Sequence, residues 1–141
     1  MARNVYSPNE MGIIVNNTPI QGFAEDTMLS IQTEDAKYSI YSDIHGKVTR
    51  FRQNKNIAKI IFTLTQSSLS NDLFSSFLEA DIRSDAGIFS FMAKDNSGTT
   101  LVTSVEACVE KYANADFANE NKNREWTVIC FNPNIFIGGI K

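Results

Sequence analysis

Residues 57–82 read Ile57-Ala-Lys-Ile60-Ile61-Phe62-Thr63-Leu64-Thr65-Gln66, then Ser67-Ser-Leu-Ser70-Asn-Asp72, then Leu73-Phe74-Ser-Ser-Phe77-Leu78-Glu-Ala-Asp-Ile82. The first part alternates, with Ile60, Phe62 and Leu64 on one side and Lys59, Ile61, Thr63 and Thr65 on the other, the period of a strand. The last part changes to helical spacing, so Leu73, Phe74, Phe77, Leu78 and Ile82 form one apolar stripe that clamps onto a sheet. Between them Ser70 or Ser68 is placed to cap the helix, with Asp72 in its positive first turn. The polar side of the helix carries Ser75, Ser76 and Glu79.

Outward from this stretch the pattern is mostly strands. Met11–Val15 is a short strand and Asn16-Asn17-Thr18-Pro19 a turn. Thr27–Glu34 alternates Leu29 and Ile31 against Met28, Ser30 and Gln32. Ala36–Gln53 reads as a long hairpin turning at Asp43-Ile44-His45-Gly46, with both faces half polar. Such a ribbon buries little by itself and offers unpaired edges, so a partner is its simplest complement. After the Asp85-Ala-Gly87 breaker come a strand at Ile88–Lys94, a turn at Asp95-Asn96-Ser97-Gly98, and the longest alternating run, Thr99–Tyr112. There Leu101, Val105, Ala107 and Val109 interleave with Val102, Ser104, Glu106 and Glu110. A polar connector, Ala113–Asn123, leads to a strand at Arg124–Asn132 holding Trp126, Val128 and Cys130. The apolar tail at 133–141 is expected to dock, since free termini fray. Many strands and one helix predict a mainly β chain: an antiparallel sandwich or barrel with one flanking helix.

Composition sets bounds on function. With 141 residues, 43% of them hydrophobic, the chain is expected to be one domain, 1–141, with a sizeable core. A net charge of -3 gives no global basic field for nucleic acid. No apolar run approaches a membrane span, so no membrane binding is expected, and Met1-Ala-Arg-Asn-Val-Tyr lacks the apolar core of a secretory signal.

Residues capable of chemistry are scattered. His45 is the only histidine and sits in a turn, where the plain reading is a solvated side chain. Cys108 and Cys130 are too few for a disulfide scaffold and read as buried small hydrophobes. No His/Cys cluster supplies metal ligands, and no glycine pattern suits a phosphate. Asp81 with Asp85, or Glu106 with Glu110, read as surface acids rather than a hydrolytic pair. No catalytic residue, cofactor or metal is therefore expected, and the chain reads as a non-enzyme. Lys47, Arg50, Arg52, Lys55 and Lys59 form a basic cluster with only Phe51 among them, too little aromatic interleaving for nucleic acid. Their plain reading is a solvated or subunit-contacting ribbon, with Glu25, Asp26, Glu34 and Asp35 as a complementary surface on a neighbouring copy.

Several stretches together resemble the tail tube proteins of contractile-tailed bacteriophages. These are Tyr6-Ser7-Pro8-Asn9, Pro19-Ile20-Gln21-Gly22-Phe23-Ala24, the hairpin stretch Asp43–Arg50, Thr63–Asp72, Lys94–Thr100, Ala115-Asp116-Phe117 and Arg124-Glu125-Trp126. They run in order over nearly the whole chain. The resemblance implies a subunit that forms hexameric rings whose inner strands join into one β-barrel around a lumen. The rings stack into a tube inside a contractile sheath. Implied partners are further copies of the chain, the sheath, baseplate and tail-terminator proteins, a tape-measure protein in the lumen, and DNA in transit only. The implied location is the virion, with assembly in the host cytoplasm. On this reading Tyr38, Ile40, Tyr41, Val48, Arg50, Phe51 and Arg52 are interface residues, Glu106 and Glu110 are lumen candidates, and the clamp helix lies on the outer flank of the wall.

Two other readings stand beside it. One is the tube subunit of a phage-tail-like bacteriocin or a type VI secretion machine, built on the same ring. The other is a monomeric β-sandwich binding module, for which a cluster of exposed aromatics is expected, whereas Trp126 reads as buried.

Overall fold

The computed structural model describes residues 11–23, 29–33, 36–54, 56–96 and 98–139. The Tyr6–Asn9 motif, Glu25, Asp26, Thr27, Met28, Glu34, Asp35, Lys55 and Ser97 lie outside the described residues. Ten strands and one helix follow in order: β1 (Met11–Val15), β2 (Thr18–Pro19), β3 (Leu29–Thr33), β4 (Tyr38–Ser42), β5 (Val48–Arg52), β6 (Ile57–Leu64), α1 (Ser70–Ser84), β7 (Phe89–Asp95), β8 (Leu101–Val109), β9 (Arg124–Phe131) and β10 (Asn134–Phe136). Among the described residues they form an eight-stranded sheet in the order β2-β1-β7-β8-β9-β6-β3, with β10 on β8, and a separate ribbon β4-β5. Every pairing is antiparallel.

Strand β6 is central because it pairs over its full length with β9 and along one edge with β3. Its alternation is the expected one. Ala58, Ile60, Phe62 and Leu64 are fully buried, while Lys59, Ile61 and Thr63 face the other side and are half-buried. Helix α1 lies over the buried face. The Phe74 ring sits 4.9 Å from Phe62 and 5.7 Å from Trp126, and Phe77 stacks on Phe89 at 4.5 Å. Burying side chains of this size contributes about 1.5 to 3 kcal/mol each. Buried residues from β1, β7, β8 and β9, among them Ile13, Phe91, Val102 and Val128 (the cross-strand partner of Ile60), complete the same core.

The helix ends differ from expectation. Neither serine is the cap. Leu69 takes the N-cap position in a helical conformation without a side-chain bond. Ser68 Oγ instead accepts from the Ser70 N–H at 3.2 Å, and Ser70 Oγ accepts from the Gln21 N–H at 3.1 Å. At the other end Asp85 adopts a left-handed conformation (φ +55°), and the Asp85 and Ala86 N–H groups close on the Asp81 and Ala80 carbonyls. Ile82, placed on the apolar stripe by spacing, is 68% exposed. Four residues beyond Leu78 the helix has advanced about 6 Å, past the aromatic cluster that gives the stripe its partners.

The run 101–110 is also corrected. Val102 and Ser104 point into the core, and so do Ala107 and Val109, so the strand changes parity midway. Phe91 pairs with Ser104 but Phe89 pairs with Ala107, leaving Val105 and Glu106 opposite Ser90 alone. That is a β-bulge. The extra residue is matched across the next ladder, where Asn132 (φ +48°) breaks β9 from β10. Ser104 Oγ pins the junction, donating toward the Glu106 and Phe131 carbonyls at 2.8 and 3.0 Å. The bulge turns Val105 outward and keeps Glu106 and Glu110 on the face away from the core.

Candidate assembly interface

The ribbon β4-β5 stands apart from the main sheet, and all ten of its strand residues are exposed. Its turn is built by Asp43. The carboxylate Oδ1 accepts from the His45 and Lys47 N–H groups, both at 2.9 Å, and the Gly46 N–H donates to the Asp43 carbonyl at 3.1 Å. This is an Asx-type turn, which places His45 in solvent as expected and leaves Ile44 almost wholly exposed. Tyr38 pairs with Arg52, Ile40 with Arg50 and Ser42 with Val48, so these six share one face. Ser39 with Phe51 and Tyr41 with Thr49 form the other. The first face is cationic, with the Arg50 guanidinium 4.1 Å above the Tyr38 ring. The second is uncharged, with Phe51 and Tyr41 beside Ser39 and Thr49. A ribbon with apolar side chains on both faces has twice the surface that its own chain can cover.

The seven residues expected at an interface, Tyr38, Ile40, Tyr41, Val48, Arg50, Phe51 and Arg52, all lie on this ribbon, and the structure groups them on its two faces. Of the basic cluster, Lys47, Arg50 and Arg52 belong to the ribbon too. Lys59 does not. It projects from β6 and meets Glu110 at 3.2 Å across the outer face of the sheet, a part-exposed pair worth little by itself. Glu106 stands exposed on that same face, opposite Phe131 in the ladder.

The two cysteines are free and leave the sheet on opposite faces, because Cys108 pairs with Ile129 while Cys130 pairs with Ala107. Cys130 is in the core, and burial, followed by the neighbouring Cys108, pushes its thiol up to about 12. Burial also raises Cys108, with Asp81 and Glu110 adding to it. Neither is poised as a nucleophile at neutral pH. Among the described residues no three His, Cys, Asp or Glu side chains come together as metal ligands. No helix among them is long and apolar enough to cross a membrane.

The motif residues converge elsewhere, at the start of α1. Asn71 is buried there. Its Nδ2 donates to the Thr65 and Ser68 carbonyls at 3.0 and 2.9 Å, and its Oδ1 accepts from Trp126 Nε1 at 2.8 Å. Ser68 Oγ donates to the Gln21 carbonyl and the Thr65 N–H to that of Gly22. Three separated stretches, around Gly22, Asn71 and Trp126, are thus tied into one latch. The tail is tied down similarly. Ile135 sits against the core and pairs with Val102, while the Thr99 N–H donates to the Gly139 carbonyl and the Gly138 N–H to Thr100 Oγ1.

Sequence reading took Ala113–Asn123 only as a polar connector and missed the surface it presents. Phe117 there is 81% exposed, and Tyr112 at its start is also exposed. Asp116 and Glu125 line a shallow polar hollow beside Tyr112, and Arg124 turns back over the Phe117 ring at 5.6 Å. The signal available was an aromatic next to an acid, Asp116-Phe117, in a segment with no apolar period.

No family model matches the chain. A sequence relative is structural protein ORF10 of Pseudomonas phage KPP10, 28% identical over 144 residues, covering 96% of this chain and 83% of the relative. Among solved structures, a chain of the sheath-tube complex of an extracellular contractile injection system in its extended state superposes with a TM-score of 0.64. It is 13% identical, over 92% of this chain and 90% of that one. A chain of the anti-feeding prophage tube-terminating cap gives 0.63 at 10% identity, over 96% and 93%. A chain of the native gene transfer agent virion also gives 0.63, at 11% identity, over 94% and 100%. The mainly β, antiparallel fold with one helix is therefore one found in particles of this kind. Both the relative and the structural neighbours agree with the resemblance to tail tube proteins.

Proposed function

We propose that this chain is a structural subunit of the tail tube of a contractile-tailed phage, without chemistry of its own. Rings of six copies stack into a hollow tube inside the sheath, carry the tape-measure protein during assembly and conduct DNA at infection. The observation that carries this reading is the ribbon β4-β5, held off the body with Tyr41 and Phe51 on one face and Tyr38, Ile40 and Val48 on the other. Apolar surface on both faces of an isolated ribbon is surface for other subunits. The main sheet adds a second argument. Its β2 edge is only two residues and ends in Pro19, while β3 pairs on one side only among the described residues, an edge that closure into a shared barrel removes. Glu106, on the outer face of β8, suits an acidic lumen along which DNA slides without sticking.

The likeness to a tube-terminating cap, equal in TM-score to that of the gene transfer agent chain, favours a second reading: a cap or terminator ring at the end of the same tube. Negative-stain electron microscopy of the purified chain separates the readings. Tubes with a central hole are expected for the tube subunit, and rings that never elongate for a terminator. A monodisperse monomer at high concentration would sink both and leave a binding module. A tube subunit from a phage-tail-like bacteriocin or injection machine gives the same images, and neighbouring capsid genes decide that point.

A further inference from the structure

The ladder between β6 and β9 sets where the two unpartnered surfaces lie. At one end Ile57 pairs with Phe131, and the ribbon joins β6 there through residues 53–56. At the other end Leu64 pairs with Arg124, where the connector enters β9. Seven residue steps separate these ends, about 23 Å at the rise of a strand, so the two surfaces spring from opposite ends of the ladder. Their character is complementary. Residues 36–55 hold Lys37, Lys47, Arg50, Arg52 and Lys55 against Asp43 alone, a net +4 in a chain of net -3, which leaves -7 for the remainder. At the connector end Asp116 and Glu125 are exposed and make no ion pair among the described residues, nor does the exposed Asp72 in the first turn of α1. Of the bases nearby, Lys122 is held by Glu120 and Arg124 lies over Phe117, leaving Lys111. Both surfaces also present exposed aromatics, Tyr38, Tyr41 and Phe51 at one end and Tyr112 and Phe117 at the other.

We infer that the cationic ribbon of one subunit docks on the acidic, aromatic connector end of a second copy of this chain. Complementary surfaces at opposite ends make a heterologous contact, which propagates along one direction unless its rotation closes a ring. This rests on the tube reading and names the contact that stacks it. Charge complementarity chooses the partner, and the aromatics supply the area it buries.

Charge reversal tests it. The variant Arg50→Glu/Arg52→Glu turns the arginine-bearing face of the ribbon acidic and takes residues 36–55 from net +4 to 0, and Asp116→Lys/Glu125→Lys turns the connector end basic. Each, folded by circular dichroism and melting within a few degrees of wild type, is expected to lose at least tenfold in sedimentable tube. Mixed together the two variants recover it, because each end then meets an opposite one. The chain carrying all four changes recovers it alone. Either double variant assembling like wild type, or the mixture and the four-site chain both staying dispersed, overturns the inference. Wild-type protein that makes neither rings nor tubes overturns the tube reading instead.

Discussion

The start of α1 and the ribbon β4-β5 handle the same problem in opposite ways. Around Asn71 every polar group on the side chain finds a partner in the same chain, and Phe74 beside it is fully enclosed by Phe62, Phe89 and Trp126. On the ribbon the backbone is paired and the turn is well made, yet each strand side chain faces solvent. The first region spends its side chains on holding one subunit together. The second has rigid shape with nothing covering it. The difference teaches that stability and assembly are separable here, and that substitutions in the two regions sort into different experiments.

The largest expected effect comes from Phe74→Ala. Removing a fully buried ring from this cluster should cost about 3 to 5 kcal/mol, read as a lower urea midpoint. Phe51→Ala on the ribbon should shift the same midpoint by less than about 0.5 kcal/mol while suppressing tube formation. Deleting Tyr38–Phe51 sharpens the contrast. The cut ends already meet, since the Gln53 N–H donates to the Lys37 carbonyl at 2.8 Å, so a folded subunit that grows no tube is expected. Full-length tubes from the deletion would remove the ribbon from assembly altogether.

Next is Asn71→Ala, which strands Trp126 Nε1 and loosens two carbonyls at once. A loss of about 2 to 3 kcal/mol is expected, since a buried group left without its partner costs its desolvation. In the double variant with Trp126→Phe the loss should be less than the sum of the singles, by about 1 kcal/mol. Strict additivity in that cycle would mean that the bond seen here contributes nothing.

Two glycines offer a closer comparison, because both have φ +81°. A Cβ on Gly22 would lie 2.5 Å from Ser68 Cβ, and Ser68 cannot yield while its hydroxyl holds the Gln21 carbonyl. A Cβ on Gly46 would meet nothing within 4 Å. Gly46→Ala should therefore cost only the left-handed backbone, about 1 kcal/mol. Gly22→Ala should cost that plus the clash, about 2 to 3 kcal/mol. Equal losses at the two positions would show that backbone strain, not the latch, sets the requirement.

The parts of this fold visible in sequence are those whose side chains keep one period. β6 kept period two and α1 period 3.6, so both were legible, as was the ribbon with its two half-polar faces. The bulge at Val105–Glu106 was not, because a parity change looks like ordinary alternation until β7 and β9 fix which residue is extra. Ile82 misled because helical spacing records a stripe and not where its partner surface stops. Asn71 and Trp126 were invisible as a pair, being 55 positions apart. On the assembly side the ribbon was recognisable from apolar residues that no local period could bury. The connector was not, since its complementarity to the ribbon depends on lying at the far end of a ladder whose register only the structure supplies.

The smallest effect expected is one of pH, and it too divides the regions. In the folded chain Cys130 keeps its proton up to about 12, against an ordinary thiol value of 9.0. Between these values the unfolded chain has lost a proton that the folded chain retains. The unfolded state binds fewer protons there, so stability falls as pH rises, and below about 9 this group contributes no slope. Near pH 9.5 the loss is about 1 kcal/mol. Other groups titrate in this range, so the measurement is the difference in urea midpoint against pH between wild type and Cys130→Ala, which should close as pH rises from 8 to 10. The subunit lacking Tyr38–Phe51 should show the wild-type dependence, because the ribbon holds no part of the Cys130 site. A deletion variant that loses the dependence would mean that the ribbon supports the core, and the separation between holding the subunit and joining subunits would fail.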